Sequence, residues 1–210
     1  MHTFQVTALI AAVLALAAGC SKSPDASAPS SEVAPATLKA NSDMAQALKL
    51  DDPQDFEDAK RGFIARPSGK VLAADGSVLH DYDAFKFVEG KAPDTVNPSL
   101  WRHAVLNAQI GLFKVTEGIY QLRGFDIANI TLIEGKTGWI VVDALTSRES
   151  AAAAMAFARK HLGDKPVTAL IFTHSHADHF GGALGVISPD EAKSRKVPVI
   201  ASAGFMEEST

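Results

Sequence analysis

Three of the seven histidines in this 210-residue chain fall within six positions, in His174-Ser175-His176-Ala177-Asp178-His179. Residues two apart in extended or looped backbone point to the same side, so His174 and His176 can chelate one ion. Asp178 and His179 leave the loop in another direction and can serve a neighbouring ion. Imidazole and carboxylate suit zinc, and also manganese or iron. Gly181 and Gly182 follow, where a tight backbone turn is expected before a helix begins. The bland alternative is a polar surface loop with histidines by chance. The apolar strand that runs into the motif weighs against it.

That strand is expected over residues 167–173, rich in β-branched side chains and suited to a buried position. Before it, short β-rich runs at 112–115, 119–123, 127–134 and 139–143 are separated by glycines. Thr146 and Glu149 have capping-box spacing ahead of an alanine-rich helix over 147–160, which Gly163 ends. A further strand is expected over 197–201. Upstream, the pattern predicts helices over 42–50 and 53–65, divided by Pro53. A hairpin follows over 70–81 around Asp75-Gly76, then a helix from Asn97-Pro98 to about Gln109. Hairpins followed by βαβ units predict a mixed α/β sheet.

The start of the chain reads as an address. Residues 8–18 are eleven apolar residues, too few to span a bilayer, which takes about 20. They fit the apolar region of a secretory signal. Leu16-Ala17-Ala18-Gly19-Cys20 resembles the lipobox of bacterial lipoproteins, which implies a signal peptide at 1–19 and acylation of Cys20. Residues 21–40 hold five Ser, five Ala and three Pro, so a flexible linker is expected over 20–40. The expectation is an exported lipoprotein of the periplasm or cell envelope, anchored in the membrane through Cys20. N-terminal helices and a hairpin would occupy 41–110 and a catalytic fold 111–210.

Composition excludes several classes. Apolar residues at 47% and charged residues at 21% favour a folded core. A net charge of −4 without a Lys/Arg stripe argues against nucleic acid as a partner. One cysteine permits no internal disulfide.

HxHxDH behind a hydrophobic strand resembles the metal-binding signature of the metallo-β-lactamase fold, an αββα sandwich. The resemblance implies His174 and His176 on a first metal ion, and Asp178 and His179 on a second. Asp143 matches the fold's earlier aspartate, which implies hydrogen bonds that support the ligand loop; an ordinary strand-end residue is the alternative. The segments RGFDIANITLIEGKTGWIVVD, THSHADHFGG and KVPVIASAGFMEE look like the bacterial alkyl sulfatases of that superfamily, over residues 56–210. This implies hydrolysis of linear alkyl sulfates such as dodecyl sulfate to alcohol and sulfate, two Zn²⁺ ions with a bridging water, a homodimer, and further domains. Other hydrolases of the fold act on thioesters, lactams or phosphodiesters, and a non-catalytic metal-binding lipoprotein is the reading from another class. Two catalytic ions call for about six protein ligands, and the loop supplies four. The 210-residue chain alone is therefore expected to hold the N-terminal half of the sandwich and to be inactive. Trp101, Phe113, Phe125 and Trp139 read as core rather than as an alkyl-chain tunnel, and Arg123 as a solvated or paired strand-end residue.

Overall fold

A computed structural model describes residues 32–209; the apolar run at 8–18 and Cys20 lie outside the described residues. The chain enters with α1 (Pro35–Ala47) and α2 (Gln54–Lys60), then β1 (Phe63–Ala65) and the separate hairpin β2 (Lys70–Leu72) and β3 (Val78–Asp81). Helix α3 (Pro98–Asn107) leads into β4 (Gly111–Thr116), β5 (Ile119–Arg123), β6 (Ile130–Glu134) and β7 (Trp139–Val142). Helix α4 (Arg148–Leu162) crosses to β8 (Val167–Ile171). Three short helices, α5 (Ala177–Phe180), α6 (Ala183–Val186) and α7 (Pro189–Ser194), precede β9 (Val199–Ile200) and α8 (Phe205–Glu208). Among the described residues, no helix is long and apolar enough to cross a membrane.

Seven strands form one mixed sheet in the order β1-β4-β5-β6-β7-β8-β9. The pairs from β1 through β7 are antiparallel, and β7-β8 and β8-β9 are parallel. Alternation along the strands buries Leu122, Ile130, Leu132, Trp139 and Val141. They join one core with Ala151, Ala154, Met155 and Ala158, the inner stripe of α4. Phe113, Phe125 and Trp139 are core residues, each 1% exposed. Thr131, Ile133, Ile140 and Val142 on the alternate positions are only half-buried, and β9 leaves Val199 and Ile200 exposed at the sheet edge.

Four local expectations give way to longer-range contacts. Helix α1 starts at Pro35, inside the segment expected to be linker; proline in a first turn loses no hydrogen bond, and the helix rests on α3. The helix expected over 53–65 stops at Lys60 because the chain must turn to pair β1 with β4. Gly62 makes that turn at φ 72°, close beneath the Lys114 carbonyl, and its own carbonyl accepts from the Lys114 N–H at 2.7 Å. The strand expected from 127 begins at Ile130, leaving a 124–129 loop. Helix α4 is capped by Ser147, whose Oγ accepts from the Ser150 N–H, while Thr146 is taken up by Asp126.

Pairing directions bring the ends of β5, β7 and β8 and the starts of β4 and β6 to one end of the sheet. The loops at 124–129, 143–147 and 172–182 therefore lie side by side. Leu132→Ala, a fully buried position at the sheet centre, is expected to cost about 2–5 kcal/mol by urea denaturation. Leu100→Ala, at an exposed position of α3, should stay within about 0.5 kcal/mol.

Candidate metal centre

Val142 of β7 stands opposite Ile171 of β8, so the residues just past those ends meet. Asp143 comes first after β7, 7% exposed, at φ 63°. Aspartate enters this left-handed region more readily than most residues. Its Oδ1 accepts from the Thr173 N–H at 2.9 Å, and the Thr173 hydroxyl lies 3.0 Å from Oδ1 and 2.9 Å from Oδ2. His179 Nδ1 reaches Oδ2 at 2.8 Å.

These contacts settle where the imidazole protons sit. A threonine hydroxyl has one proton, and here the carboxylate takes it. His174 Nδ1, 3.0 Å from Thr173 Oγ1, must then donate to that oxygen. His179 Nδ1 donates to Asp143, since a carboxylate only accepts. Each ring thus carries a proton on Nδ1, and its neutral form leaves Nε2 as the lone pair with which histidine ligates metals.

The four candidate ligands are brought together. Ring centroids stand 4.6 Å apart for His174 and His176 and 4.0 Å apart for His174 and His179. Asp178 Oδ2 lies 3.3 Å from His179 Nε2. In the neutral form of His179 that contact sets two lone pairs side by side, a pair that a cation can bridge. This donor set fits a borderline divalent cation. The ring planes meet at 70° for His174 with His176 and at 50° for His174 with His179, and among the described residues no three His, Cys, Asp or Glu side chains already form a chelating group.

Gly181 and Gly182 act differently from expectation. Their φ angles are −56° and −84°, which any residue adopts. Space makes them necessary: a Cβ on Gly182 would stand 2.1 Å from the Ala144 carbonyl oxygen, and one on Gly181 2.3 Å from that of Thr146. The Ala144 N–H donates to the His179 carbonyl at 2.7 Å and the Gly182 N–H to Leu145 at 2.9 Å, so the 143–147 turn and the ligand loop are laced backbone to backbone. Arg123 stays away from the histidines. Its guanidinium lies over the Phe113 ring at 4.4 Å and its Nε donates to Gln121 at 2.6 Å, while burial lowers its pKa.

Two positioning residues escaped the sequence reading. Thr173 links Asp143 to His174; its place beside a motif histidine was the available signal. Asp126 Oδ1 accepts from the Thr146 hydroxyl at 3.0 Å and Oδ2 from the Thr146 N–H at 3.2 Å, tying the 124–129 loop to the 143–147 turn across twenty residues. No local pattern announces that bond. Asp143→Ala should lower stability by about 2–3 kcal/mol in urea denaturation, because Thr173 and His179 lose their acceptor. Asp143→Asn, which suits the backbone conformation, should cost less.

Comparison with known proteins gives the fold and the relatives of this chain. Residues 123–210 match the metallo-beta-lactamase superfamily. The chain is 46% identical over 178 residues to an alkyl/aryl-sulfatase of Saccharomyces cerevisiae, covering 84% of this chain and 28% of the relative. It is 46% identical over 200 residues to an (R)-specific secondary-alkylsulfatase of Pseudomonas sp., covering 95% of this chain and 30% of the relative. The solved structure of a stereoselective inverting sec-alkylsulfatase from Pseudomonas sp. superposes with a TM-score of 0.79 at 45% identity, over 84% of this chain and 28% of that one. The chain thus spans under a third of the length of these relatives. It has a metallo-β-lactamase fold and is similar along most of its length to alkylsulfatases.

Proposed function

We propose that these residues serve the metal-dependent hydrolysis of linear alkyl sulfates to alcohol and sulfate in the whole protein. The observation that carries the metal site is the pair of imidazoles held at Nδ1 by Asp143 and Thr173, which leaves Nε2 of each for a cation. The similarity to alkylsulfatases supplies the substrate class. His174 and His176 would hold one zinc ion, and Asp178 and His179 a second. Bound divalent ions lower the pKa of water and offset charge on a leaving sulfate. The chain's own contribution is orientation: Asp143 fixes two rings and their tautomers, and the glycine contacts hold the loop against the 143–147 turn. The proposal extends to homodimerisation and to export with lipid anchoring through Cys20, supported by the apolar run and small residues before that cysteine.

Turnover of decyl sulfate by the metal-loaded whole protein, set against a lactam and a phosphodiester, tests the reading. Sulfate release abolished by a chelator is expected; cleavage of the lactam alone would overturn it. His176→Ala should remove most of the metal from one site, measured by elemental analysis, since a catalytic zinc generally keeps three protein ligands. The 210-residue chain by itself, with four loop donors, should hold fewer than two zinc ions and show no turnover. Cys20→Ser should shift the protein from the membrane to the soluble fraction, because stable anchoring takes two or more acyl chains. A wild-type protein without acyl groups would refute the anchor.

A further inference from the structure

The segment 81–89, which follows the β2–β3 hairpin, is a succession of turns. The Ala84, Lys86 and Val88 N–H groups donate back to the Asp81, Asp83 and Phe85 carbonyls at 3.2, 3.2 and 3.0 Å. The Gly69 N–H donates to Asp83 Oδ2 at 3.2 Å and fastens the segment to the start of the hairpin. This fixed backbone holds Phe85 and Phe87 out to solvent, at 65% and 67% exposure. Their rings stand 6.3 Å apart, and the Phe87 ring stands 6.4 Å from that of Trp101 on α3. Trp101, expected in the core, is instead half-buried, with its Nε1 donating to the Gly90 carbonyl at 3.0 Å. Single exposed apolar residues are ordinary on a protein surface. Three adjoining aromatic rings on a hydrogen-bonded support form a contact surface.

Charge and attachment select what covers it. Asp81 faces Lys70 at 3.4 Å and Asp83 faces Lys86 at 3.0 Å. The remaining charges of 81–91, Glu89 and Lys91, are of opposite sign. The face therefore carries no net field to draw a charged partner. It adjoins α1: Leu38, in the first turns of that helix, and Trp101 line one cavity of about 770 Å³, and the Asn41 side chain donates to the Asp94 carbonyl at 2.8 Å. Helix α1 starts at Pro35, and only residues 21–34 separate it from Cys20. Fully extended, that length spans about 50 Å. A domain attached in this way to an acylated cysteine meets the bilayer surface at high effective concentration, so a small apolar face suffices for contact.

We propose that the face formed by Phe85, Phe87 and Trp101 rests on a lipid bilayer, with its rings among the headgroups and upper acyl chains. This rests on the reading of Cys20 as a lipid anchor given above. The two tryptophans of the chain supply the test. Trp139 lies in the core at 1% exposure, so lipids brominated on the upper acyl chain should quench Trp101 alone. In phosphatidylcholine vesicles carrying the acylated 210-residue chain, quenching is expected, and Trp101→Phe should abolish it. Phe85→Ser combined with Phe87→Ser, both at exposed positions, should keep the Tm and the acyl anchor yet weaken docking about tenfold, read as loss of quenching. Raising the ionic strength should leave quenching unchanged, because no net charge is matched. Acylated, vesicle-bound protein with an unquenched Trp101 would overturn the proposal alone, as would quenching that survives the double serine variant or that requires anionic lipid. A dimer that shields Trp101 from the brominated lipid would give the face to a second copy and overturn it as well. A protein without acyl groups would overturn the anchor and this proposal with it.

Discussion

A carboxylate withdrawn from water must be met at both oxygens, and Asp143 meets that demand by gathering the ligand loop around itself. Its partners are the Thr173 amide and hydroxyl and the His179 ring, and through Thr173 it reaches His174. Three consequences follow from one buried charge. The loop after β8 is held to the turn after β7, two imidazoles are fixed in one tautomer, and the strained turn at Asp143 and Leu145 (φ 63° and 62°) is held in place. Such backbone persists only where the surroundings over-determine it. Leu145 lies in the core at 0% exposure and its carbonyl accepts from Gly182, so core packing and the site loop hold the same turn from two sides.

Close packing sets a second condition on the same place. Gly181, Gly182 and Gly185 each leave room for a carbonyl oxygen of the segment 144–148 that leads into α4. The alanine stripe of α4 in turn lets that helix approach the sheet. Small residues therefore run continuously from the core to the loop, and a shift of α4 would be felt at His179 through the Ala144–His179 backbone bond. Asp126 adds the neighbouring 124–129 loop to this lattice through Thr146. Rigid scaffolding beneath exposed loops is the usual way a fold positions reactive side chains.

Elements with strong local signals were legible in the sequence: the β-runs of the central sheet, the alanine-rich helix ended by Gly163, the Asn97-Pro98 helix start, and the clustering of four candidate ligands. What the sequence concealed depends on partners distant along the chain. The run at 63–65 looks helical by composition and becomes a strand because β4 offers it an edge. Thr146 and Glu149 have capping-box spacing, yet Asp126 claims Thr146 and Ser147 becomes the cap. Gly181 and Gly182 read as conformational glycines, whereas the need is for space against a turn some 35 residues upstream. Local propensity is a weak prior, and tertiary pairing overrode it at each of these positions.

The close approach of the three rings bears on how such a loop takes up a cation. Two of them, His174 and His179, are tied through Nδ1 to the Thr173–Asp143 assembly and can only pivot about that bond. His176 is exposed, and its ring stands 4.6 Å from that of His174. Ordering that ring carries an entropic cost that the other two have already met on folding. Metal affinity at this loop would then depend on two prepaid donors and one adjustable one. Strengthening His176 alone would gain little while Asp143 still set the positions of the other two, because a ligand sphere is only as well placed as the hydrogen bonds behind it.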